Sequence, residues 1–294
     1  MSQFKKIVVG HDLWRGGDSA LQSAKVFADH YGAAIKLVHV VEPHPFFHTL
    51  NPVLSHLPSL EELVRRAKAK LAERAADQGE WEVRTGKPFI ELIAACRDWQ
   101  ADLLIVGGSV ECQEPLLGST SERLVRKAQV PVFVAKKPLR SEAKTVIVPT
   151  DFSPCATKAA EEALTFVRSF GGELFFVHAL DIHAIYPDAY GLKAAWLPQL
   201  QPEAFPSTGE WEAFFAGLSS LENVTWHERT EEGKPAEAIV HLAADSKADL
   251  IVMGTHGRSD LKHMLLGSVA EQVVRTAACP VLTIRPDSFR FELP

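Results

Sequence analysis

The chain has no long apolar run, no surplus of positive charge and few cysteines, and each shortage removes a class of function. No window of the 294 residues stays apolar over the length that crosses a bilayer. The opening MSQFKKIVVG passes almost at once into a strand pattern, which leaves no room for a signal peptide. Net charge is -6 at neutral pH, whereas nucleic acid and anionic lipid both call for a basic face. The expectation is a cytoplasmic protein that binds neither nucleic acid nor membrane. Cys96, Cys112, Cys155 and Cys279 stand far apart with no C-x-x-C, which argues against a structural disulfide and a thiolate metal site. His44, His48 and His56 crowd EPHPFFHTLNPVLSH, but proline-rich spacing does not hold three imidazoles on one face. Two nucleotide signatures are also missing: no G-x-x-x-x-G-K-[ST] supplies a phosphate lysine, and the glycines are too widely spaced for a dinucleotide fingerprint.

What is present is repetition. KIVVGHDLWRGGDSALQSAKVFADHYGAAIKLVHVVE aligns without a gap on TVIVPTDFSPCATKAAEEALTFVRSFGGELFFVHALD, placing Asp12 on Asp151 and His39 on His178. Further on, GKPFIELIAACRDWQADLLIVG matches GKPAEAIVHLAADSKADLIVMG, and GSTSERLVRKAQVPVFVAKK matches GSVAEQVVRTAACPVLTIRP. A chain that is 46% apolar and this long can fill two cores. The segment KKPLRSEA, residues 136 to 143, reads as a linker, giving domains 1–137 and 144–294.

Short unbroken β-branched runs, KIVVG, AIKLVHVV, DLLIVG and VPVFVA, read as strands buried on both faces of a parallel sheet. Between them, SALQSAKVFADHYG and ATKAAEEALTFVRSFGG repeat apolar residues at three and four and stop at glycines suited to helix ends. The alternation predicts an α/β fold with a doubly wound parallel sheet in each half. RGGDS, residues 15 to 19, is read as the start of the first helix, capped by Asp18 or Ser19. Inserts at roughly residues 42 to 80 and 181 to 220 follow the second strand of each half. The first ends in the amphipathic helix LEELVRRAKAKLAERAA, and the aromatic second reads as a packing arm or lid.

GTHGRSDLKHMLLGS carries the chemistry. ADLIVMG brings a strand to its carboxyl end at Gly254, where ligands sit in doubly wound sheets. Gly254 allows close approach to the main chain, and Gly257 is expected to take positive φ. Gly267 and Ser268 open a helix whose first amides lack helical partners and carry the positive end of its dipole, with Ser268 as the expected N-cap. An anion fits there. Asp151, ending PTD, is suited to ribose hydroxyls or a divalent cation, and equally to capping the helix after it.

These residues resemble the universal stress protein family in tandem form. G-x-x-G, nine residues and G-[ST] fall at Gly254, Gly257, Gly267 and Ser268, with PTDFS, VHALD and PVLTIRP in family order around them. The resemblance implies two five-stranded parallel sheets of order 3-2-1-4-5, of the adenine nucleotide alpha-hydrolase-like type. It implies ATP, ADP or AMP as ligand, with magnesium or manganese as an accompanying ion near Asp151. Adenine would lie against Pro149, Thr150, Ala179 and Met253, and ribose near Asp151 and Gly254. Phosphates would rest on Gly257, Arg258, Gly267, Ser268 and Val269, with His256 in reach. It also implies pairing of the halves through PVFVA and PVLTI as an intramolecular pseudo-dimer, and is compatible with a further homodimer.

The first half keeps Asp12, Val40, Gly107 and Gly118-Ser119, but Val110 replaces the second glycine. Glu111 and Glu114 enter a loop two residues shorter. A branched side chain resists positive φ and carboxylates repel phosphate, so little or no ATP binding is expected there. For turnover, no base partners Asp151 and no phosphate lysine follows Gly267, so hydrolysis is expected to be slow at best. A nucleotide-binding regulatory protein is the leading reading. A weak ATPase or autophosphorylating protein, and an interaction scaffold indifferent to nucleotide, stand beside it.

Overall fold

The computed structural model describes residues 4–43, 58–76, 79–108, 119–142, 144–181, 206–258, 266–287, 289 and 291. His44, His48, His56, Cys112, Val110, Glu111, Glu114 and Gly118 lie outside them. The chain divides into two compact units, chiefly Gln3–Leu139 and Arg140–Phe289.

In the first unit, β1 (Lys6–Gly10), α1 (Arg15–Tyr31), β2 (Ala34–Val41), α2 (Leu60–Ala75), β3 (Glu80–Thr85), α3 (Pro88–Trp99), β4 (Leu103–Gly107), α4 (Ser119–Lys127) and β5 (Val132–Ala135) follow in order. The strands run parallel in the order β3-β2-β1-β4-β5. The second unit repeats the plan with β6 (Thr145–Pro149), α5 (Pro154–Phe170), β7 (Glu173–Leu180), α6 (Thr208–Ala216), β8 (Thr225–Glu232), α7 (Pro235–Asp245), β9 (Leu250–Gly254), α8 (Ser268–Thr276) and β10 (Val281–Ile284). Its strands are also parallel, in the order β8-β7-β6-β9-β10. Each half thus has the order 3-2-1-4-5 expected of it.

The central strands are almost wholly apolar because both faces are covered: Ile7, Val8, Val9, Leu103, Leu104 and Ile105 are fully buried, as are Val146, Ile147, Val148 and Leu250. Helices α1 and α5 stop at glycines of positive φ, Gly32 at 66° and Gly171 at 77°. Cys96, Cys155 and Cys279 are buried, and burial pushes the Cys96 thiol up to about 12.

Two contacts written into both halves set the sheet against its helices. The Asp of each ADL triplet anchors the start of the first strand. Asp102 accepts the amides of Lys5 (2.7 Å) and Lys6 (3.1 Å), and Asp249 accepts those of Lys144 (2.7 Å) and Thr145 (3.2 Å). Asp249 is also bound by the Arg140 guanidinium. Burial alone would raise its pKa, but Arg140 and the two amides outweigh burial and hold it below the usual carboxylate range. The second contact is at Gly107 and Gly254, which end β4 and β9. A Cβ on Gly107 would sit 2.7 Å from Gly16 Cα, and one on Gly254 2.9 Å from Cys155 Sγ. The first turns of α1 and α5 therefore rest directly on strand backbone.

The start of α1 corrects the sequence reading. The helix begins at Arg15, with Trp14 at the N-cap making no side-chain cap bond. Neither Asp18 nor Ser19 caps it. Asp18 lies inside the first turn and pairs with His11 (3.2 Å) and with Arg74 of α2 (3.1 Å). That tie fixes the first insert, whose helix is itself capped by Ser59 on the Glu62 amide (3.2 Å). No helix among the described residues is long and apolar enough to cross a membrane.

Two stability outcomes follow. Asp249→Asn should cost about 2 kcal/mol in urea unfolding at pH 7, the scale of a charged hydrogen-bonded group. Because the native pKa is lowered, this stabilisation is complete above the unfolded carboxylate value of about 4 and fades as pH falls through the native value. The gap between wild type and variant should therefore narrow in acid, and a constant gap down to about pH 3 would refute the assignment. Gly107→Ala should destabilise by about 1–3 kcal/mol, and more than Gly254→Ala, because its methyl meets backbone where the other also meets a thiol.

Candidate functional site

The chain doubles back sharply after β6. Phe152 takes φ 61°, in the left-handed region where a bulky residue is strained. The conformation is held by the Phe152 amide donating to Thr150 Oγ1 (2.9 Å) and the Ser153 amide donating to Asp151 Oδ1 (3.1 Å). Leu13 repeats it at φ 65°, with His11 Nδ1 in the place of the threonine hydroxyl (2.9 Å). A histidine on the next strand braces each turn: His178 Nδ1 meets the Thr150 carbonyl at 2.9 Å and His39 Nδ1 meets that of His11 at 2.7 Å. A carbonyl only accepts, so both imidazoles carry the proton on Nδ1.

The two turns differ in what caps the helix that follows. Ser153 is the N-cap of α5, and its hydroxyl accepts the Ala156 amide (3.2 Å). In the first half the same position is Trp14, which has no oxygen to offer. Asp12 Oδ1 takes over and accepts the amides of Trp14 and Gly17, both at 2.8 Å. Asp151 is spared that duty, so it is not the cap that the sequence left open. Its Oδ2 instead accepts the Arg258 amide at 2.8 Å, joining the end of β6 to the loop after β9.

That loop is pinched at its base. The Gly267 amide donates to the Thr255 carbonyl (2.9 Å), and a Cβ on Gly267 would lie 3.1 Å from the same oxygen. Gly257 is not at positive φ, contrary to expectation. It is glycine for space: a Cβ there would sit 2.5 Å from Asp151 Oδ2. Ser268 is likewise not the N-cap. Gly267 holds that position, and Ser268 is the first helical residue, exposed to solvent. The amides of Ser268, Val269 and Ala270 form the open first turn of α8.

The remaining candidates fall around this junction. Pro149 and Thr150 are buried at the end of β6, adjacent to β9 through the Ile147–Ile251 register, and Ala179 is half-buried near the end of β7. Met253 is buried in β9, opposite Thr283 of β10. His256 Nδ1 lies 2.8 Å from Thr255 Oγ1. Burial and then the buried Arg285 push the His256 imidazole below its usual value. Asp151 gives both oxygens to main-chain amides, and the described residues hold no group of three His, Cys, Asp or Glu fit for a metal ion.

Sequence reading missed the neighbours of Arg258. Its guanidinium lies 2.7 Å from Glu210 and 5.3 Å over the Phe152 ring. Glu210 sits on α6, in the second insert, where a reciprocal capping box with Ser207 fixes it. Trp211 and Phe214 of the same helix are buried edge-on against Phe152, at 4.9 and 5.9 Å between centroids. The described part of the aromatic insert is thus a packing arm that also delivers a carboxylate to the site. The loop residues that distinguish the first half, Val110, Glu111 and Glu114, lie outside the described residues.

A family model described as the universal stress protein family matches residues 3–136 and again 142–285. A universal stress protein of Mycolicibacterium smegmatis is 29% identical over 298 residues, covering 95% of this chain and 97% of its own. One from Methanocaldococcus jannaschii is 37% identical over 144 residues, 48% of this chain and 82% of its own. The crystal structure of a universal stress protein from Archaeoglobus fulgidus is alike in fold, with TM-score 0.67 at 23% identity over 96% of this chain and 97% of that one. Matched twice in succession and over nearly its whole length, the chain belongs to the universal stress protein family as a tandem of two such domains.

Proposed function

We propose that the second half binds an adenine nucleotide, ATP, ADP or AMP, and that the chain is a stress-response regulatory protein whose contacts with other proteins depend on that ligand. The observation that carries this reading is the Asp151–Arg258 bond, 2.8 Å long. It joins the strand end suited to a ribose and the glycine loop suited to phosphates. Family membership supplies the ligand class. The base would lie against Pro149, Thr150, Ala179 and Met253, and the ribose hydroxyls would donate to Asp151, displacing the Arg258 amide. That amide, with those of Gly257, Ser268 and Val269, then faces the phosphates at the positive end of α8. His256, beside Thr255 in the same loop, would offer an imidazole nitrogen to the phosphates. Arg258 is the mobile cation, held by Glu210 while the site is free of nucleotide.

The test is calorimetric titration of ATP, ADP and AMP into the full chain, with one site per chain expected. Gly257→Val should weaken binding by about tenfold or more, since its side chain would take the space beside Asp151 Oδ2 that the ribose hydroxyls need. An unchanged affinity would place the nucleotide elsewhere.

Two further variants probe residues that need not touch the ligand. Ser153→Ala should lower affinity severalfold, because Asp151 is then drawn to the uncapped amides of α5 as Asp12 is to those of α1; loss of the cap costs about 1 kcal/mol. Glu210→Gln should raise ATP affinity by about twofold to fivefold, the scale of one exposed ion pair released. A fall in affinity would show that Glu210 supports the bound state instead.

A further inference from the structure

The turn after β1 is closed by a ring of four contacts. The Leu13 amide donates to His11 Nδ1 (2.9 Å), and the Leu13 carbonyl accepts Arg74 Nη2 from the last turn of α2 (3.4 Å). Arg74 Nε donates to Asp18 Oδ1 (3.1 Å), and the same oxygen lies 3.2 Å from His11 Nε2. An amide only donates, so Nδ1 is bare and the ring proton sits on Nε2, facing Asp18. The strained backbone at Leu13 and the end of the first insert thus depend on one neutral imidazole.

The matching turn of the second half is built without a titratable acceptor. Thr150 Oγ1 accepts the Phe152 amide there (2.9 Å), and a hydroxyl does not change charge where an imidazole does. The counterpart of Asp18 in the gap-free alignment is Thr157, whose hydroxyl donates to the Ser153 carbonyl (3.2 Å). The second insert is fastened to its turn by the rings of Trp211 and Phe214 against Phe152.

His11 has little freedom to adapt. It is 2% exposed, and a Cβ on Gly17 would collide with its ring, so the first turn of α1 lies directly against the imidazole. A proton on Nδ1 would meet the Leu13 N–H head-on, two donors with no acceptor between them. The Leu13 amide must then leave, and the left-handed conformation of that residue loses the bond that holds it. On the other side of the ring, an imidazolium competes with the Arg74 guanidinium for Asp18 and repels it.

We propose that these four residues form a proton-operated catch: protonation of His11 at Nδ1 expels the Leu13 amide and displaces Arg74, which loosens this turn and the end of α2 while the turn at Phe152 stays closed. The catch is independent of the nucleotide reading for the second half. Burial is the largest influence on the imidazole and holds it below the ordinary histidine value; Asp18 works against burial, Arg74 with it, and Asp12 against it. With the native value lowered, the unfolded chain takes up the proton first, so the first half loses stability as pH falls below about 6.5 until the native value is passed. His39 of β2 holds the His11 carbonyl as His178 holds that of Thr150, so the Phe152 turn is an internal control for the bracing histidine. Arg15, Glu42, Lys136 and Lys137 line the cavity that His11 borders. They, and Glu111 and Glu114 of the loop after β4, are common to wild type and His11→Thr. That variant installs the second half's own acceptor, and the comparison isolates the imidazole.

The full chain is followed by NMR through the acid range in which it stays folded, observing the His11 ring and the amides of Leu13, Phe152 and residues 71–75. As His11 titrates, the exchange protection of the Leu13 amide should fall by about tenfold or more with the same midpoint, and that of the last turn of α2 should fall with it. Phe152 should keep its protection. Asp18→Asn should lower the midpoint and Arg74→Met should raise it, because a carboxylate favours the imidazolium and a guanidinium opposes it. His11→Thr should keep Leu13 protected throughout. The proposal is overturned if Leu13 stays protected through the His11 transition, if His11 takes up no proton before the chain unfolds, if α2 does not respond, or if the loss of protection persists in His11→Thr. Comparing Leu13 with Phe152 in the wild-type chain keeps the test decisive even if a variant fails to fold.

Discussion

Whichever oxygen caps the helix after the first strand of a half decides what the aspartate beside it can do. Each half ends that strand in the same strained turn, with Leu13 or Phe152 at positive φ, and starts a helix directly afterwards. The third amide of that helix needs an acceptor. Ser153 provides one in the second half, which leaves Asp151 free to reach across to Arg258. Trp14 provides none in the first, and Asp12 is drawn inward onto its own helix. Trp14 in place of the Ser153 of PTDFS thus separates an aspartate that caps its own helix from one that joins two elements.

The close seating of helix on strand makes this competition local and unavoidable. Gly107 and Gly254 let the first turns of α1 and α5 approach the sheet until no side chain fits between them. The helix start, the aspartate and the loop leaving β4 or β9 are then confined to one small volume. The ADL aspartates hold the other end of the same strands by their amides, so the strand ends that carry the turns are fixed along the sheet. The site is specified by packing of backbone on backbone, and its polar side chains divide a limited set of amides among themselves.

Much of the fold was legible because the central strands are buried on both faces and read as unbroken apolar runs. The edge strands were less so. β8, TWHERTEE, is largely exposed and mostly polar, so neither hydrophobic period nor β-branched content marks it, and its place follows from the repeat and the family order. At the site, the sheet order implied by the family resemblance brought the strand ends at Asp151 and Gly254 together, but the reading of Gly257 as a positive-φ glycine was wrong. A glycine needed for space and one needed for φ look the same in one dimension. Ser268 was misplaced by one position because Gly267 itself serves as the cap. Glu210 was out of reach for a different reason: it lies in an insert whose sequence does not align with that of the first half, 48 residues before Arg258.

The two halves show how a duplicated site diverges without loss of its scaffold. The strained turn, the bracing histidine and the glycine under the helix persist in both. The changes are at Trp14 for Ser153, Gly108 for Thr255 and Lys136 for Arg285, positions that control where a cap, a stem or a charge goes. In the second half Ser153 takes the cap, and Asp151 reaches the amide of Arg258, whose guanidinium is paired with Glu210 of the insert. In the first half Asp12 takes the cap, and the Lys136 stem lies where Gly108 leaves room for it. Judged by its glycines alone, the first half is a damaged copy. Its amides and side chains share the same strand ends in a different way: the aspartate caps its own helix, and a buried lysine stem fills the space that glycine leaves.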